Sequence, residues 1–447
     1  MIWLGLLTAL ALADEPSWGG RLEANLRVGL VACPEDCPLL DQGDTAVVGL
    51  WADRPLNDAV TVRLAGDVRL HPAATLATLD QRALPQAVPT SLRLERAYAQ
   101  VRTAEWAVHR LGVQVVGWGV ADGVHVADPV NPKDLEDPLA LDGRLPVPMV
   151  ESTLHRGDIA LELVWVPVLF PSVQPRSGVE VAPAGESLLD GDTFPDVHVG
   201  GVEYRTRLPS QAIDGMGVGA RLSHTGAKAD VALSAWWGRD SLPQAHGQLL
   251  ITGFQTDRSR VDVAVDLVYP QTGVFGAEAR GELFGGLSGW VEASLTVPER
   301  TVVTASQAQL DVLARLGTID AVPDPLPEVV TQDGQPYPKW VVGLERVFGR
   351  VLVNGQWVHG LPLERKNDEL HDYGVLIARV DLGHGATSSL LTLAEPHGAL
   401  VHAEVAGVLG DAVEVHLGAA VGAATETSPL QRYAGLTQVY LGTVVRY

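Results

Sequence analysis

Residues 439–447, VYLGTVVRY, alternate in character and end on an aromatic. Counted back from the end, Val445, Thr443, Leu441 and Val439 share one face of an extended chain, and Arg446, Val444, Gly442 and Tyr440 share the other. Successive side chains of a β-strand point to opposite sides. An apolar face and a terminal aromatic suit the wall of a barrel in a lipid bilayer, with the aromatic in the interfacial girdle. A soluble sheet can end the same way, so the setting must come from the rest of the chain.

The opposite end supplies it. Residues 2–12, IWLGLLTALAL, form an uncharged apolar run that passes through Ala11-Leu12-Ala13 into Asp14 and Glu15. This is the apolar region and small-x-small cleavage site of a secretory signal, although no Lys or Arg precedes it. Residues 1–13 are therefore expected to be a signal peptide, and 14–447 a single mature domain. The run is too short to span a bilayer as a mature helix. Cys33 and Cys37, in CPEDC, are the two cysteines of the chain. In an exported protein they predict one short-loop disulfide. With no nearby His they do not make a zinc site.

Across 447 residues, 54 Asp and Glu outnumber 32 Lys and Arg, for a net charge of −22. That argues against a nucleic-acid partner, which needs clustered basic residues, and against a basic membrane-binding surface. After residue 13 no stretch of about 18 apolar residues occurs, so spanning helices are not expected. A chain that is apolar, exported and free of such helices fits a β-barrel. No GxSxG, HExxH, P-loop or dinucleotide fingerprint is present. Neither enzyme activity nor a cofactor or metal is expected.

Alternation recurs along the chain. In 60–70, Val60, Val62, Leu64, Val68 and Leu70 oppose Thr61, Arg63, Asp67 and Arg69. In 259–269, Val261, Val263, Val265, Leu267 and Tyr269 oppose Asp262 and Asp266. Likewise Phe275, Ala277, Ala279 and Leu283 oppose Glu278, Arg280 and Glu282; Val401, Ala403 and Val405 oppose His402 and Glu404; and Val413, Val415 and Leu417 oppose Glu414 and His416. The polar members of these sets, with Arg110 and Glu162, are the candidate lumen residues. The runs match the roughly 9–11 residues a tilted strand needs to cross hydrocarbon.

Tight turns at 55–58, 285–286 and 410–411 separate some strands. Long Pro- and Asp-rich loops at about 71–90, 120–156, 170–200, 297–338 and 421–433 separate others. Outer-membrane barrels divide their two rims this way. The expected fold is all-β, a transmembrane antiparallel barrel of about 16 strands (14–18), with long outer loops and a short helix near 305–316. Segment 91–103 alternates unevenly. Trp51, Trp106, Trp165, Trp236, Trp237, Trp290, Trp340 and Trp357 read as interface anchors, although alternation also directs Trp290, with Trp118, inward.

The segment 109–138, HRLGVQVVGWGVADGVHVADPVNPKDLEDP, resembles the signature of a large outer-membrane barrel family related to alginate-export porins. Gly112, Gln114, Trp118, Gly119, Asp128, Asn131, Pro132 and Asp134 fit the pattern, and Val113 replaces a basic residue. Segments 161–171, 217–243, 272–283 and 340–360 are also similar. The resemblance implies a porin-like channel in the outer membrane of a Gram-negative bacterium. Its partners would be lipid, an unknown small-molecule solute, and the barrel-assembly machinery, which would read Val445 and Tyr447. An alginate conduit would line its lumen with Arg and Lys. The acidic excess here predicts a cation or neutral preference instead. Asp128, Asn131 and Asp134 offer oxygen ligands for a hard cation, but beside Pro129 and Pro132 they read better as a structural loop. That loop could fold inward and narrow the pore, with Trp118 at the rim. His402, Glu404, Glu414 and His416 are expected on neighbouring strands. The alternative reading is a closed or plugged barrel serving as a structural, adhesin or receptor scaffold.

Overall fold

The computed structural model describes residues 17–29, 45–70, 90–135, 143–173, 198–209, 212–254, 260–431 and 437–446. The expected signal peptide 1–13, the Cys33/Cys37 pair and Tyr447 lie outside the described residues. In chain order the strands are β1 Ser17–Gly29, β2 Thr45–Asn57, β3 Val60–Leu70, β4 Thr90–Ala104, β5 Ala107–Gln114, β6 Val147–Arg156, β7 Ile159–Val166, β8 His198–Thr206, β9 Gly217–Thr225, β10 Ala229–Arg239, β11 Gln244–Ala245, β12 Gly247–Phe254, β13 Arg260–Val268, β14 Gln271–Phe284, β15 Leu287–Pro298 and β16 Thr301–Ala305. Helix α1, Gln307–Arg315, follows. Then come β17 Glu328–Gln332, β18 Tyr337–Phe348, β19 Val351–His359, β20 Asp372–Gly383, β21 Ala386–Glu395, β22 Gly398–Leu409, β23 Val413–Ala424 and β24 Thr437–Arg446.

Eighteen of these strands form one antiparallel sheet. It closes on itself where β1 pairs β24, from Arg21 opposite Arg446 to Gly29 opposite Gln438. Closure removes the unpaired edges that a lipid environment could not satisfy. The long connections fall at one rim, with the short β21–β22 turn, and the remaining short turns fall at the other. β1 starts and β24 ends at the short-turn rim, since Ser17 pairs Asp53 and the Arg446 amide donates to Ala412 in the β22–β23 turn.

The apolar face of β24 points outward as expected. Leu441 lies between Leu417 and Leu26, and Leu417 is 61 % exposed. Leu50, Leu111, Leu233, Phe275 and Leu344 are exposed in the same way around the wall. So much continuous apolar surface marks a lipid-facing band. Trp165, Trp237 and Trp357, with half-buried Trp340, ring the long-loop side. Trp18, Trp106, Phe284 and Phe348 ring the other. On β18, Trp340 and Phe348 are separated by ~26 Å of strand, or ~20 Å along the membrane normal at a tilt of about 40°.

Two aromatics read as lipid anchors turn inward instead. Trp51 and Trp236 face the lumen opposite Gly19 and Gly219. Trp290 and Tyr440 are likewise opposite Gly343 and Gly418. A Cβ at any of these four glycines would lie under 3.0 Å from the facing ring. An inward ring therefore lies flat over a bare stretch of the neighbouring strand.

The strand number, 18, is at the upper bound of the expected 14–18, and its difference from 16 has identifiable reasons. Glu95 is an extra residue in the β3–β4 ladder, which shifts between Ala65 and Gly66. The outward parity of β4 thus changes from even at Leu94 to odd at Ala97, which is why 91–103 alternates unevenly. Part of the expected loop 120–156 is strand β6.

The segment 259–269 is a larger correction. Its strand, β13, is not in the barrel. It is central to a second, six-stranded sheet built from three long connections beyond the barrel rim. β13 pairs β8 in parallel and β11 and β12 antiparallel; β12 pairs β16, and β16 pairs β17. Val261, Val263, Val265 and Leu267 pack into a protein core with Leu249, Val303, Leu310 and Leu313. Asp262 and Asp266 therefore do not line the lumen; Asp266 pairs with Arg207 at 2.8 Å. Helix α1 lies within the expected 305–316 and buries Leu310 and Leu313 on this sheet. The expected single domain 14–447 thus contains two cores, the barrel and an inserted cap.

Candidate functional site

After β5 the chain turns into the barrel. Residues 115–135 cross the lumen and pack on the opposite wall, where Ala121 and Val124 join Val341, Val358, Tyr373, Leu393 and Leu400 in one apolar cluster. The anchor is Glu292 on β15, whose exposure is 0 %. One carboxylate oxygen accepts the Val120 and Ala121 amides at 2.9 and 3.0 Å, and the other accepts Val126 and Ala127 at 2.6 and 2.7 Å. Paired backbone amides of this kind cradle an anion. His125 lies 3.7 Å from the same carboxylate. Farther along the wall, Gln356 donates to the Asp122 carbonyl at 2.7 Å and Asn354 to its carboxylate at 3.1 Å.

Several residues singled out in 109–138 build this loop. Trp118 is 1 % exposed and donates its indole N–H to Glu162 at 2.5 Å. It sits deep in the lumen, not at the rim, because its ring packs with Val130, Met149 and Trp236. Gly119 has φ +96°, and a Cβ there would come 2.5 Å from the Glu292 carboxylate. Only glycine fits both the backbone and the space. Asp128 pairs with Arg144 and lies 3.8 Å from Lys133. Asn131 ties the loop stem, accepting from Val116 and donating to Leu145, each at 2.9 Å. Pro132 accepts the Leu145 amide at 2.8 Å, and Asp134 is bridged through its backbone to Gly143. Gln114 ends β5 with a buried side chain.

The lumen beside β1–β5 is different. A cavity of about 590 Å³ lies there, lined by Arg21, Arg63, Arg96, Arg110 and Arg144, with Glu95, Gln114 and Asp134. Arg21 donates to Asp67 and Glu95 at 2.6 and 2.9 Å. Arg63 donates to Tyr98 at 3.1 Å and lies 3.6 Å from Asp53. Arg110 pairs with Glu151 at 3.1 Å. The carboxylates of Asp67, Glu151 and Asp128 are buried while the guanidinium groups reach the opening. Arg96 is exposed.

The remaining lumen candidates fall on the inner wall. Arg69 lies opposite Val47, on the inner register, and its side chain is outside the described residues. Buried Glu278 accepts from Arg221 at 2.6 Å. Arg280 lies 5.7 Å from the Trp290 ring centre, and Glu282 is exposed near the short-turn rim. His402, Glu404, Glu414 and His416 do come together. His402 contacts Tyr440 at 2.6 Å, Tyr440 donates to Glu404 at 2.5 Å, and His416 bridges Glu404 at 3.2 Å and Glu414 at 3.4 Å. Arg446 closes the chain on Glu414 at 2.8 Å. Among the described residues no group of His, Cys, Asp and Glu is arranged to hold a metal ion.

Sequence reasoning missed Arg21, Arg96, Arg144, Glu151 and Glu292. The signal existed for two of them. In 21–28 Arg21 and Glu23 alternate with Leu22 and Ala24, and in 290–297 Glu292, Ser294 and Thr296 alternate with Val291, Ala293 and Leu295.

No family model matches the chain, and no curated protein matches it. Solved structures do. The outer-membrane protein OpdK of Pseudomonas aeruginosa is similar over 97 % of this chain and 99 % of its own, with TM-score 0.50 and 9 % identity. Pseudomonas aeruginosa OccK9 (OpdG) is similar over 97 % of each chain, with TM-score 0.49 and 12 % identity. Salmonella typhi OmpF is similar over 97 % and 98 %, with TM-score 0.42 and 10 % identity. The chain has the β-barrel fold of a Gram-negative outer-membrane porin. At this identity the likeness speaks to fold, and the lining of the lumen has to be argued from this chain alone.

Proposed function

We propose that the chain is a porin-like channel for small solutes in the outer membrane of a Gram-negative bacterium. The supporting observation is the arginine-lined cavity of about 590 Å³ beside the inward loop. Charge near a narrow path acts at short range, since the Debye length is about 8 Å at physiological salt. Distant surface carboxylates are therefore screened; four of the guanidinium groups pair with carboxylates within 4 Å, so the reading rests on their standing at the opening and on exposed Arg96. Two of the carboxylates that suggested a cation preference, Asp262 and Asp266, belong to the cap. Our reading is accordingly a preference for solutes bearing an anionic group. Such a lining also suits the resemblance of 109–138 to alginate-export-like porins, whose expected lumen is basic. Lipid and the barrel-assembly machinery complete the partners of such a barrel.

The test is a planar-bilayer recording under a salt gradient. Ohmic steps with an anion-selective reversal potential support the reading. A cation-selective potential returns the preference to the net charge. A second reading, a plugged scaffold, draws on the loop anchored by Glu292 on the wall it crosses to; it predicts silence in the same recording.

A further inference from the structure

Trp51 is an inward ring that stays open. Trp118, Trp236, Trp290, Tyr98 and Tyr440 also turn inward, and each is buried. Trp51 is 44 % exposed. One face of its indole lies over Gly19 of β1, where a Cβ would come within 2.6–2.8 Å of three ring atoms. The other face is left to the lumen. The register shows what stands beside it. Across β2, β3 and β4, Trp51 lies opposite Ala65, and Ala65 opposite Arg96. One step toward the short-turn rim, Asp53 lies opposite Arg63, and Arg63 opposite Tyr98. Neighbouring strands are about 4.8 Å apart, so the Trp51 and Arg96 backbones stand roughly 10 Å apart. The Ala65 methyl is the side chain between them.

A cavity of about 280 Å³ fills that gap, lined by Trp51, Asp53, Arg63, Leu64, Ala65 and Arg96. At about 30 Å³ per water it has room for roughly nine waters, or for one substituted six-membered ring. Arg63 and Arg96 also line the larger arginine-rich cavity, so the two spaces adjoin. The polar groups of the shelf reach open space. The side chains of Arg63 and Asp53 are 39 % and 41 % exposed, with Nε of Arg63 3.6 Å from Oδ2 of Asp53. Arg96 is exposed as well. The shelf is thus a flat apolar face whose rim runs guanidinium, carboxylate, guanidinium. A hydroxyl both donates and accepts, so neighbouring hydroxyls match a rim that offers both. A ligand carboxylate would meet Asp53. An indole face left to water forfeits the burial that an aromatic ring normally contributes, and a ligand with its own apolar face would restore it.

We propose that this shelf binds a hexopyranose ring. The C–H face of the sugar lies on Trp51, and its hydroxyls accept from Arg63 and Arg96 and donate to Asp53. No charge on the ligand is required. The site therefore goes beyond the anion preference, and its occupancy does not require conduction.

The experiment is isothermal titration of the full chain, solubilised in a detergent without a sugar headgroup, with D-glucose, sorbitol and benzoate. Sorbitol has the hydroxyls without the ring; benzoate has a flat ring and a charge without the hydroxyls. One saturable glucose site is expected, with sorbitol about tenfold weaker for want of a face to stack. Trp51→Ala should weaken glucose about tenfold, and Trp51→Phe, which keeps a ring, should restore most of that loss. Asp53→Asn should weaken it a few-fold, and Trp237→Phe, on the lipid face, should leave it unchanged. Heat-modifiable gel mobility confirms that each variant is folded. The proposal is overturned if glucose gives no saturable heat, if benzoate binds more tightly than glucose, if Trp51→Ala binds as tightly as the parent, or if Trp237→Phe removes the binding. Glucose binding by a silent or cation-selective barrel would fail the channel reading alone; anion-selective conduction without glucose binding would fail this one alone.

Discussion

The two walls of the lumen are built from the same kind of strand and do opposite work. On β15 and β18–β21 the inner face is apolar or carries isolated polar side chains, and the inward loop is fastened to it by Glu292, Asn354 and Gln356. On β1–β5 the inner face carries arginines with carboxylates packed behind them, and the cavity is open there. A polar side chain on a barrel wall is thus either a fastener or a lining group, and the partner decides which. Glu292 meets backbone amides that nothing else satisfies. Arg96 meets water.

Removing the loop should erase the difference. Replacing residues 120–134 with a short Gly-Ser link is expected to raise single-channel conductance several-fold, because the wall beyond Glu292 would then also face solution. Unchanged conductance would show that current does not pass the loop.

A subtler break leaves the loop in place and loosens it. Glu292→Gln halves the acceptor capacity and sets an amide NH₂ against backbone N–H groups; with charge-assisted bonds contributing about 1.5–3 kcal/mol each, the loop should lose roughly 3 kcal/mol or more of anchoring. Gly119→Ala should act alike, because φ +96° and a 2.5 Å approach to Glu292 exclude a Cβ. Both variants are expected to keep heat-modifiable mobility, gain proteolytic sensitivity within 115–135 and show flickering current. A quiet, protease-resistant Glu292→Gln channel would mean that the apolar cluster alone holds the loop.

The strands show how much of this was legible. In 413–419 and 261–267 the sequence alternates in the same way, apolar against charged. In β23 the apolar side faces lipid, with Leu417 exposed; in β13 it faces a protein core, with Val263 buried. Period-two patterning tells which residues share a face, and is silent on what covers that face. Membrane topology was readable because the turns and loop lengths agree with it. The cap was not, because its strands come from three separate loops and pair partly in parallel. For the candidate site, the WG and NPxD residues were singled out in the sequence, and the structure gives Gly119 and Asn131 structural roles in the inward loop. Glu292 was hidden because its partners lie 165 to 172 positions away in the chain.

Selectivity tests the open wall. Arg96→Glu reverses one exposed charge at the cavity without removing a described ion pair. The reversal potential should move toward cations, most at low salt, since screening falls as ionic strength drops. The opposite reversal at Asp266→Lys, on the cap, should leave it in place. Shifts of equal size and opposite direction from the two would assign selectivity to the whole-protein field and weaken the claim that the lining governs it.

The smallest effect is expected where the inward loop touches β7 and β9. Trp118 rests on Gly219 and donates its indole N–H to Glu162 at 2.5 Å. Trp118→Phe keeps much of the ring in its apolar cluster and removes that one bond, leaving a carboxylate short of a donor. Such a loss is about 1.5–3 kcal/mol when the partner is charged and buried, and less where water can reach it. Glu162 is only partly buried, so the lower end applies. The four amides on Glu292 are untouched, so the loop should stay in place and conductance change by less than a factor of two. Flickering current and proteolytic sensitivity with Trp118→Phe, like those expected of Glu292→Gln, would move the anchor from the carboxylate to the indole.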